Sequence, residues 1–433
     1  MRKRLLYPLL FLSLAACAAE TSDSGAAADE QDVTGTAVAN KKALFAGDFY
    51  YARVANGEFS LWKSDKANDQ HCPDGDVTDA RLVFKTKKFS VENSGNFTAN
   101  TPKSSWKVKL DDKDDRLFKM KALNFKSMWN DVSQMREALA WKMFGEAGVD
   151  APKHTYSKLC MDGKYYGLYS VIEQVEKAFL SDHFPGHDDG NLYKAYFMPD
   201  DIGPADLSKR ADGKYHVKSK QDERTYQLKT NDEEDDYSDL AKLIEADDVD
   251  SVLDTEKFLK WAAVNTLLGA WDNYWQTPAN YYVYNAGTKE QPKFEWIPWD
   301  YDNTFGISYD ANRWHDAPII VTKLPLMKRV FAKPENKRRY LSILEDINER
   351  IFNEQWVQRE LDKLWPRVEK AAYLESDTEN GAPHTGRQWT NHEVFQHGHE
   401  SWELNRGSTH IEGIIHFVKM RHDSVKRQIA EQR

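Results

Sequence analysis

The chain carries the segment WIPWDYDNTFG at residues 296–306, in which a short apolar run ends at two aspartates. A second apolar run, NYYVY, begins at Asn280. These runs predict β-strands over residues 281–285 and 293–297. If the two strands pair as an antiparallel hairpin, the start of one lies beside the end of the other, and Asn280 comes close to Asp300.

A third polar residue, Asp272, follows a predicted helix and enters the same loop. Two carboxylates and a carboxamide that converge in this way suit a hard divalent cation, which prefers oxygen ligands. One aspartate then remains to orient a hydroxyl group, as in phosphoryl transfer, where a lysine also holds phosphate oxygens. The alternative, in which each aspartate only caps a turn, stays open at this point.

A lysine-bearing strand is predicted upstream, at SSWKVKL over residues 104–110. Side chains alternate between the two faces of a strand, so Trp106, Val108 and Leu110 share one face. Lys107 and Lys109 then lie together on the other face.

Other patterns assign the chain to the α+β class. Strand-like alternation recurs over residues 47–90, a helical pattern covers 131–148, and a hairpin is indicated at 155–175. Helical patterns dominate the C-terminal half, over residues 238–247, 254–270, 322–332, 335–351, 354–374 and 408–431.

Composition excludes several classes of protein. The 433 residues are 12% aromatic, too rich in large apolar side chains for an intrinsically disordered chain. The 69 acidic residues exceed the 59 basic ones and give a net charge of −10. This balance argues against nucleic acid as a partner and against polybasic membrane binding.

The N-terminus indicates export to the cell envelope. Residues 1–16 combine a basic start with an apolar run, as in a signal peptide. The sequence Leu-Ala-Ala-Cys that ends at Cys17 resembles the lipobox of bacterial lipoproteins; an ordinary signal peptide that contains a cysteine is the alternative. Residues 17–42 are then expected to form the lipidated cysteine and a flexible tether, and Ala18 follows the outer-membrane pattern. The protein is thus expected to contact the membrane only through this anchor, facing the periplasm or the exterior.

Two further cysteines, Cys72 and Cys160, complete the set of three. In an oxidising compartment they can form a disulfide bond. Two separate buried thiols are the alternative.

Six motifs occur in order along the chain: SWKVKL (105–110), DVSQMRE (131–137), YGLYSVIE (166–173), NLYK (191–194), NYYVY (280–284) and IPWDYDNTFG (297–306). Together they resemble the spore coat protein CotH kinase family, over roughly residues 80–425. The resemblance implies an atypical protein-kinase-like fold with a β-rich N-lobe over 43–175 and a mainly helical C-lobe over 176–433. It also implies binding of ATP and a divalent metal (Mg²⁺ or Mn²⁺, with Ca²⁺ left open) and phosphorylation of a protein substrate.

Carried onto this chain, the resemblance implies that Asp272 orients or deprotonates the acceptor hydroxyl. It implies that Asp300 holds the metal that bridges the nucleotide phosphates. Asn280 would be a second metal ligand, and Asp302 joins the candidate metal ligands.

The same resemblance implies a phosphate-binding lysine, for which Lys109 is the first choice and Lys107, on the same strand face, the rival. Glu137 lies on the predicted helix and could pair with that lysine. Glu173 could contribute near the junction of the lobes.

The chain departs from the family pattern at several points. Residues 92–101 replace an Arg-Gly-Asn-Ser-Ser-like stretch, and Ala279 stands where relatives often have histidine. The separation of Asp272 and Asn280 is longer than in ordinary kinases.

Two other functions remain open at this stage. The same fold could transfer another group, such as AMP, or the chain could be a catalytically silent envelope module that binds glycan or protein. An exported kinase also meets the difficulty that ATP is scarce outside the cytoplasm.

Overall fold

A computed structural model describes most of the chain after residue 40. It covers residues 41–46, 49–64, 72, 80–95, 98–114, 116–196, 204–209, 225–308, 313–375, 391–399, 403–406 and 409–433. The predicted signal peptide, Cys17 and most of the predicted tether lie outside the described residues. Among the described helices, none combines the length and the apolar character that a bilayer crossing needs.

The described β-strands form three sheets in a mixed α/β architecture. The strands are β1 (Phe49–Ala55), β2 (Glu58–Ser64), β3 (Ala80–Thr86), β4 (Phe89–Ser94), β5 (Ser105–Leu110), β6 (Ala122–Lys126), β7 (His154–Met161), β8 (Lys164–Glu173), β9 (Leu192–Ala195), β10 (Tyr226–Leu228), β11 (Tyr281–Asn285), β12 (Phe294–Pro298), β13 (Ile307–Ser308), β14 (Glu403–Arg406) and β15 (Thr409–Glu412). Their orders are β3-β2-β1-β7-β8-β6-β5-β4, β10-β9-β11-β12 and β13-β15-β14.

The eight-stranded sheet curls on itself. Strands β3 and β4 stand at opposite ends of its order, yet only two residues connect them in the chain. A two-residue link cannot cross a flat eight-stranded sheet, whose strands lie about 4.8 Å apart, so the two edges must approach each other. Phe59 of β2 confirms this approach, because its ring centroid lies 6.5 Å from that of Phe84 in β3 and 6.0 Å from that of Phe89 in β4.

The inside of the curl holds an apolar core, and the outside of β5 and β6 carries polar groups. Val108 and Leu110 of β5 are buried, as the alternating pattern predicts. The segment around Leu123 forms strand β6. It pairs with β5 in antiparallel register, with Lys107 opposite Asn124. One outer face therefore presents Lys107, Asn124 and, two residues further along β6, Lys126.

The described helices are α1 (Lys41–Leu44), α2 (Arg136–Glu146), α3 (Lys177–His183), α4 (Ser238–Glu245), α5 (Thr255–Leu268), α6 (Pro325–Phe331), α7 (Pro334–Arg350), α8 (Glu354–Leu374), α9 (Asn391–His399) and α10 (Ile414–Gln432). The C-terminal half is mostly helical, as predicted. The helix predicted over 408–431 is shorter, because residues 409–412 pair as β15 before α10 begins.

Helix α2 also begins later than the predicted residue 131. The backbone of Gln134 is left-handed (φ 57°), which interrupts a helix at that point. The Asp131 carboxylate instead caps the start of α2: Oδ2 accepts the Arg136 backbone N–H at 2.8 Å, and Oδ1 accepts from Arg136 Nη1 at 2.6 Å. This buried ion pair fixes the first turn of α2, which carries Glu137.

The hairpin predicted from residues 280–306 is present. Strands β11 and β12 pair in antiparallel register, with Tyr281 opposite Pro298. Strand β9 lies on the other side of β11, with Lys194 opposite Tyr282. The end of β9, the start of β11 and the end of β12 therefore meet at one edge of the four-stranded sheet.

A disulfide bond joins Cys72, which lies between β2 and β3 in the chain, to Cys160 of β7. The S–S distance is 2.18 Å and the Cα–Cα distance is 5.8 Å. The two cysteines are 88 positions apart in sequence, so the bond closes a long loop of the unfolded chain.

We predict that the double variant Cys72→Ser/Cys160→Ser has a free energy of unfolding lower by about 2–4 kcal/mol, since it loses this restriction of the unfolded chain. Urea denaturation measures the difference. Reductant should lower the melting temperature of the wild-type protein but not that of the double variant. Equal stability of the two proteins under oxidising conditions would contradict the prediction.

Candidate active site

A cleft of about 600 Å³ is lined from both the eight-stranded and the four-stranded sheet. Strands β4, β5 and β6 and the segment after β8 line one side, and the meeting edge of β9, β11 and β12 lines the other. Of the described lining residues, seven are basic and four are acidic: Lys107, Lys109, Arg116, Lys121, Lys126, Lys194 and Lys229 against Glu92, Asp111, Glu176 and Asp300. Such a cleft favours an anionic ligand.

An ion pair between Lys126 and Asp300 connects the two sheets inside the cleft. The distance from Lys126 Nζ to Asp300 Oδ1 is 2.8 Å, and the two side chains are 15% and 26% exposed. Burial disfavours the charge of Lys126, but the carboxylates of Asp300, Glu137 and Asp302 outweigh it and raise the pKa of the ammonium group. Lys126 therefore remains charged, held by a cluster of carboxylates.

Asp300 adopts a backbone conformation that is uncommon for an aspartate. Its φ of 64° lies in the left-handed region, and Asn280 across the hairpin has a φ of 57°. Among residues with side chains, aspartate and asparagine enter this region most readily, and both ends of the hairpin use it.

Glu137, on the first turn of α2, is a buried acid close to Lys126. It is 1% exposed, and the Ser170 hydroxyl interacts with its carboxyl by hydrogen bonding. Burial raises the pKa of Glu137 to about 8, with Asp302 and Asp300 adding to the effect and Lys126 opposing it. Asp300 holds the ammonium group of Lys126 in this structure, and Glu137 is a second acid within electrostatic range of it.

Asp272 lies beside the same hairpin edge. The side chain of Asn280 donates from Nδ2 to the Asp272 carbonyl at 2.7 Å, and Asn303 donates to the Asp272 carboxylate at 3.3 Å. Burial raises the pKa of Asp272 to about 7, and the charges of Asp300 and Asp302 add to this effect. A carboxyl group with a pKa near neutrality is suited to accept a proton from a reacting hydroxyl.

Asp302 contributes charge to the site from outside the described cleft lining. Burial raises its pKa to about 7, and repulsion from Asp300 adds to the effect. Among the residues that the structure describes, no three His, Cys, Asp or Glu side chains are grouped to hold a metal ion.

The donor set fits a hard divalent cation that is shared with phosphate groups. Asp300 supplies a carboxylate, and Asn280 uses its amide nitrogen on Asp272, which leaves its carboxamide oxygen for the cleft. Mg²⁺ in proteins is commonly held by one or two carboxylates together with substrate phosphates.

The two lysines selected from the sequence occupy different parts of the cleft. Lys109 is 45% exposed, and its Nζ lies 2.5 Å from Glu92 Oε2. Lys107 lines the cleft, and burial followed by the charge of Lys194 lowers its pKa. Neither forms an ion pair with Asp300 in the described structure; that partner is Lys126.

Glu173 is engaged elsewhere. It is fully buried, lies 2.8 Å from Lys41 Nζ and accepts the Lys153 backbone N–H at 3.1 Å. The segment that follows it, residues 174–176, lines the cleft.

Sequence reasoning missed Lys126, although a signal for it exists. In ALNFK (122–126), Leu123 and Phe125 alternate with Asn124 and Lys126. This is the same period of two that identified the neighbouring strand β5, and it places Lys126 on the outward face.

The fold and the site define a mixed α/β protein with a cationic cleft that can hold an anion beside several carboxylates. The model of the CotH family, described as CotH kinase protein, matches residues 91–425, and the chain belongs to this family. This match confirms the family resemblance of the sequence motifs.

Two named relatives are distant. Inner spore coat protein H of Bacillus subtilis (strain 168) is 26% identical over 256 residues, 57% of this chain and 67% of that protein. Invasin CotH2 of Rhizopus delemar is 24% identical over 246 residues, 53% of this chain and 39% of that protein. The match thus spans about two thirds of the spore coat protein and about two fifths of the invasin.

We predict that Glu137→Gln becomes more stable relative to wild type as pH rises. Folded Glu137 keeps its proton up to about pH 8, whereas the unfolded residue loses it near pH 4.5. The folded state then binds more protons between these values, so wild-type stability falls as pH rises through that window. Urea denaturation at about pH 5 and about pH 8.5 should show a relative gain above about 1 kcal/mol.

The matched control is Glu431→Gln, at an exposed position in the last turn of α10. Its stability relative to wild type should not change with pH. If the stability difference between Glu137→Gln and wild type is also independent of pH, Glu137 is ionised in the folded protein at neutral pH, and the prediction is wrong.

Proposed function

We propose that the protein is a kinase that transfers phosphate from ATP to protein hydroxyl groups with a divalent metal, Mg²⁺ or Mn²⁺. The observation that carries this proposal is the Lys126–Asp300 pair, with Glu137 and Asp272 beside it, in a cleft lined by cations. Phosphoryl transfer depends mainly on positioning and on charge stabilisation, and these residues supply both.

The proposed step is a direct displacement. The acceptor oxygen attacks the terminal phosphorus, the bond from that phosphorus to the bridging oxygen breaks, and ADP leaves. Asp272 accepts the hydroxyl proton, which its pKa of about 7 allows near neutral pH. Asp300 and Asn280 would hold the metal, which would supply charge neutralisation at the phosphates.

Lys126 has two partners in this proposal. If the Asp300 carboxylate served as a metal ligand, the ammonium group of Lys126 would lose its present partner, and Glu137 would be the other acid close to it. Lys126 can then hold a phosphate oxygen while Glu137 supports its charge. This role corresponds to the lysine–glutamate pair of protein kinases.

We propose the two-lobed arrangement on the same basis. The curled eight-stranded sheet with α2 would be the N-lobe, the four-stranded sheet with the later helices would be the C-lobe, and the cleft would lie between them. The names of the relatives, a spore coat protein and an invasin, support an exported location. The lipid anchor at Cys17 and the protein acceptor belong to this proposal.

We predict that Asp272→Ala and Asp300→Ala each abolish transfer of radiolabelled phosphate from ATP to dephosphorylated casein or to the protein itself. Asp272→Ala removes the proton acceptor, and Asp300→Ala removes the metal ligand. Asp300→Ala should also lose the rise in melting temperature that ATP with Mg²⁺ gives the wild-type protein. Intact-mass analysis of the product distinguishes phosphate from AMP. Full transfer by both variants would refute the assignment.

We predict that Lys126→Met lowers kcat/KM for ATP by about 100-fold or more, since it removes the cation at the reacting phosphate. Lys109→Met, which removes an exposed lysine already paired with Glu92, should lower it by less than about tenfold. Circular dichroism of both variants verifies folding. A larger loss for Lys109→Met than for Lys126→Met would return the phosphate-binding role to Lys109.

A further inference from the structure

The cleft carries more positive charge than its own acids neutralise. Two of the four acidic lining residues are already used, Asp300 by Lys126 and Glu92 by Lys109. Lys194 forms no ion pair with any described carboxylate. Cations that crowd together without partners are costly unless an anion joins them.

Four lysines of the cleft lining interact electrostatically: Lys126, Lys194, Lys107 and Lys229. Burial, followed by repulsion from Lys126, lowers the pKa of Lys194 to about 8. Burial also lowers the pKa values of Lys107 and Lys229, and Lys194 contributes to the lowering in both cases. Lys194 thus lies within electrostatic range of Lys126 and Asp300, and also of Lys107 and Lys229.

Ammonium groups lie near the three aromatic rings of the described cleft lining. Lys194 Nζ lies 4.5 Å from the centroid of Tyr196, 5.4 Å from that of Trp299 and 5.7 Å from that of Tyr282. Lys229 Nζ lies 5.3 Å from the same Tyr196 centroid. A cation held over a ring face in this way competes with a nucleobase for that face. The described cleft is therefore better suited to bind a chain of phosphates than a nucleobase.

We propose that the cleft recognises its donor mainly through the phosphate chain, and that linear inorganic polyphosphate serves as a phosphoryl donor in addition to ATP. This inference rests on the proposed function. The terminal phosphate lies at Lys126 and Asp300, and the chain runs along Lys194 towards Lys107 and Lys229. Its charge neutralises Lys194, Lys107 and Lys229, none of which forms an ion pair with a described carboxylate.

The step is the same displacement with another leaving group. The acceptor oxygen attacks the terminal phosphorus, and the bond to the next bridging oxygen breaks. Polyphosphate shortened by one unit leaves with the electron pair, and Asp272 accepts the hydroxyl proton. A donor of this kind does not depend on the supply of ATP outside the cytoplasm.

Binding is tested by calorimetry with inorganic tripolyphosphate in the presence of a metal chelator. Wild-type protein should bind, and Lys194→Ala should weaken binding by about tenfold or more, since it loses a charge-assisted contact. Lys194→Arg should restore most of the affinity. Lys419→Ala removes an exposed lysine of α10, outside the described cleft lining, and should bind like the wild type. Equal binding by Lys194→Ala and wild type would overturn the proposed path.

Donor activity is tested with Mg²⁺, nucleotide-free linear polyphosphate and dephosphorylated casein, with intact mass as the readout. With wild-type protein, the mass of casein should increase by added phosphate. The inference is supported if this increase is absent with Asp272→Ala and smaller with Lys194→Ala. Transfer from ATP but not from polyphosphate overturns the inference and leaves the proposed function standing. Transfer from neither donor overturns the proposed function itself and the inference with it.

Discussion

The contact between Lys126 and Asp300 is the interaction on which the arrangement of the site depends. It joins the outer face of the curled sheet to the end of the β11–β12 hairpin, across the cleft. Removing either partner of a largely enclosed ion pair leaves the other charge uncompensated, which is costly. The pair therefore holds the cleft in shape, and in the proposed function a metal and a phosphate would replace the two partners with equivalent charges.

A second set of buried contacts fixes the position of Glu137 relative to the segment that carries Asp300. Arg136 binds Asp131 at the start of α2, and its Nη2 donates to the Glu412 carbonyl at 2.5 Å. The backbone N–H of Glu412 donates in turn to the carbonyl of Gly306, shortly after Asp300. The helix that carries Glu137 and the loop that carries Asp300 are thus both hydrogen-bonded to strand β15. This fixes the positions of the two acids relative to Lys126.

The charge distribution of the cleft contrasts with that of the whole chain. The net charge is −10, yet the described cleft lining is basic. A localised positive site on an acidic protein attracts small polyanions while the remaining surface repels nucleic acid. This agrees with a phosphate-bearing ligand, and membership of the CotH family leads to the same class of chemistry.

Short-range patterns in the sequence determined the α+β class, most helices and strands, and the meeting of Asn280 with Asp300, because periodicity and hairpin register act over a few residues. They did not determine which lysine faces Asp300. Lys107 and Lys126 share one outward face, and Lys126 is 174 positions from Asp300. Only the curl of the sheet and its packing against the hairpin bring these two together. Long-range contacts of this kind leave no periodic trace in the chain, so the tertiary structure alone decided the composition of the site.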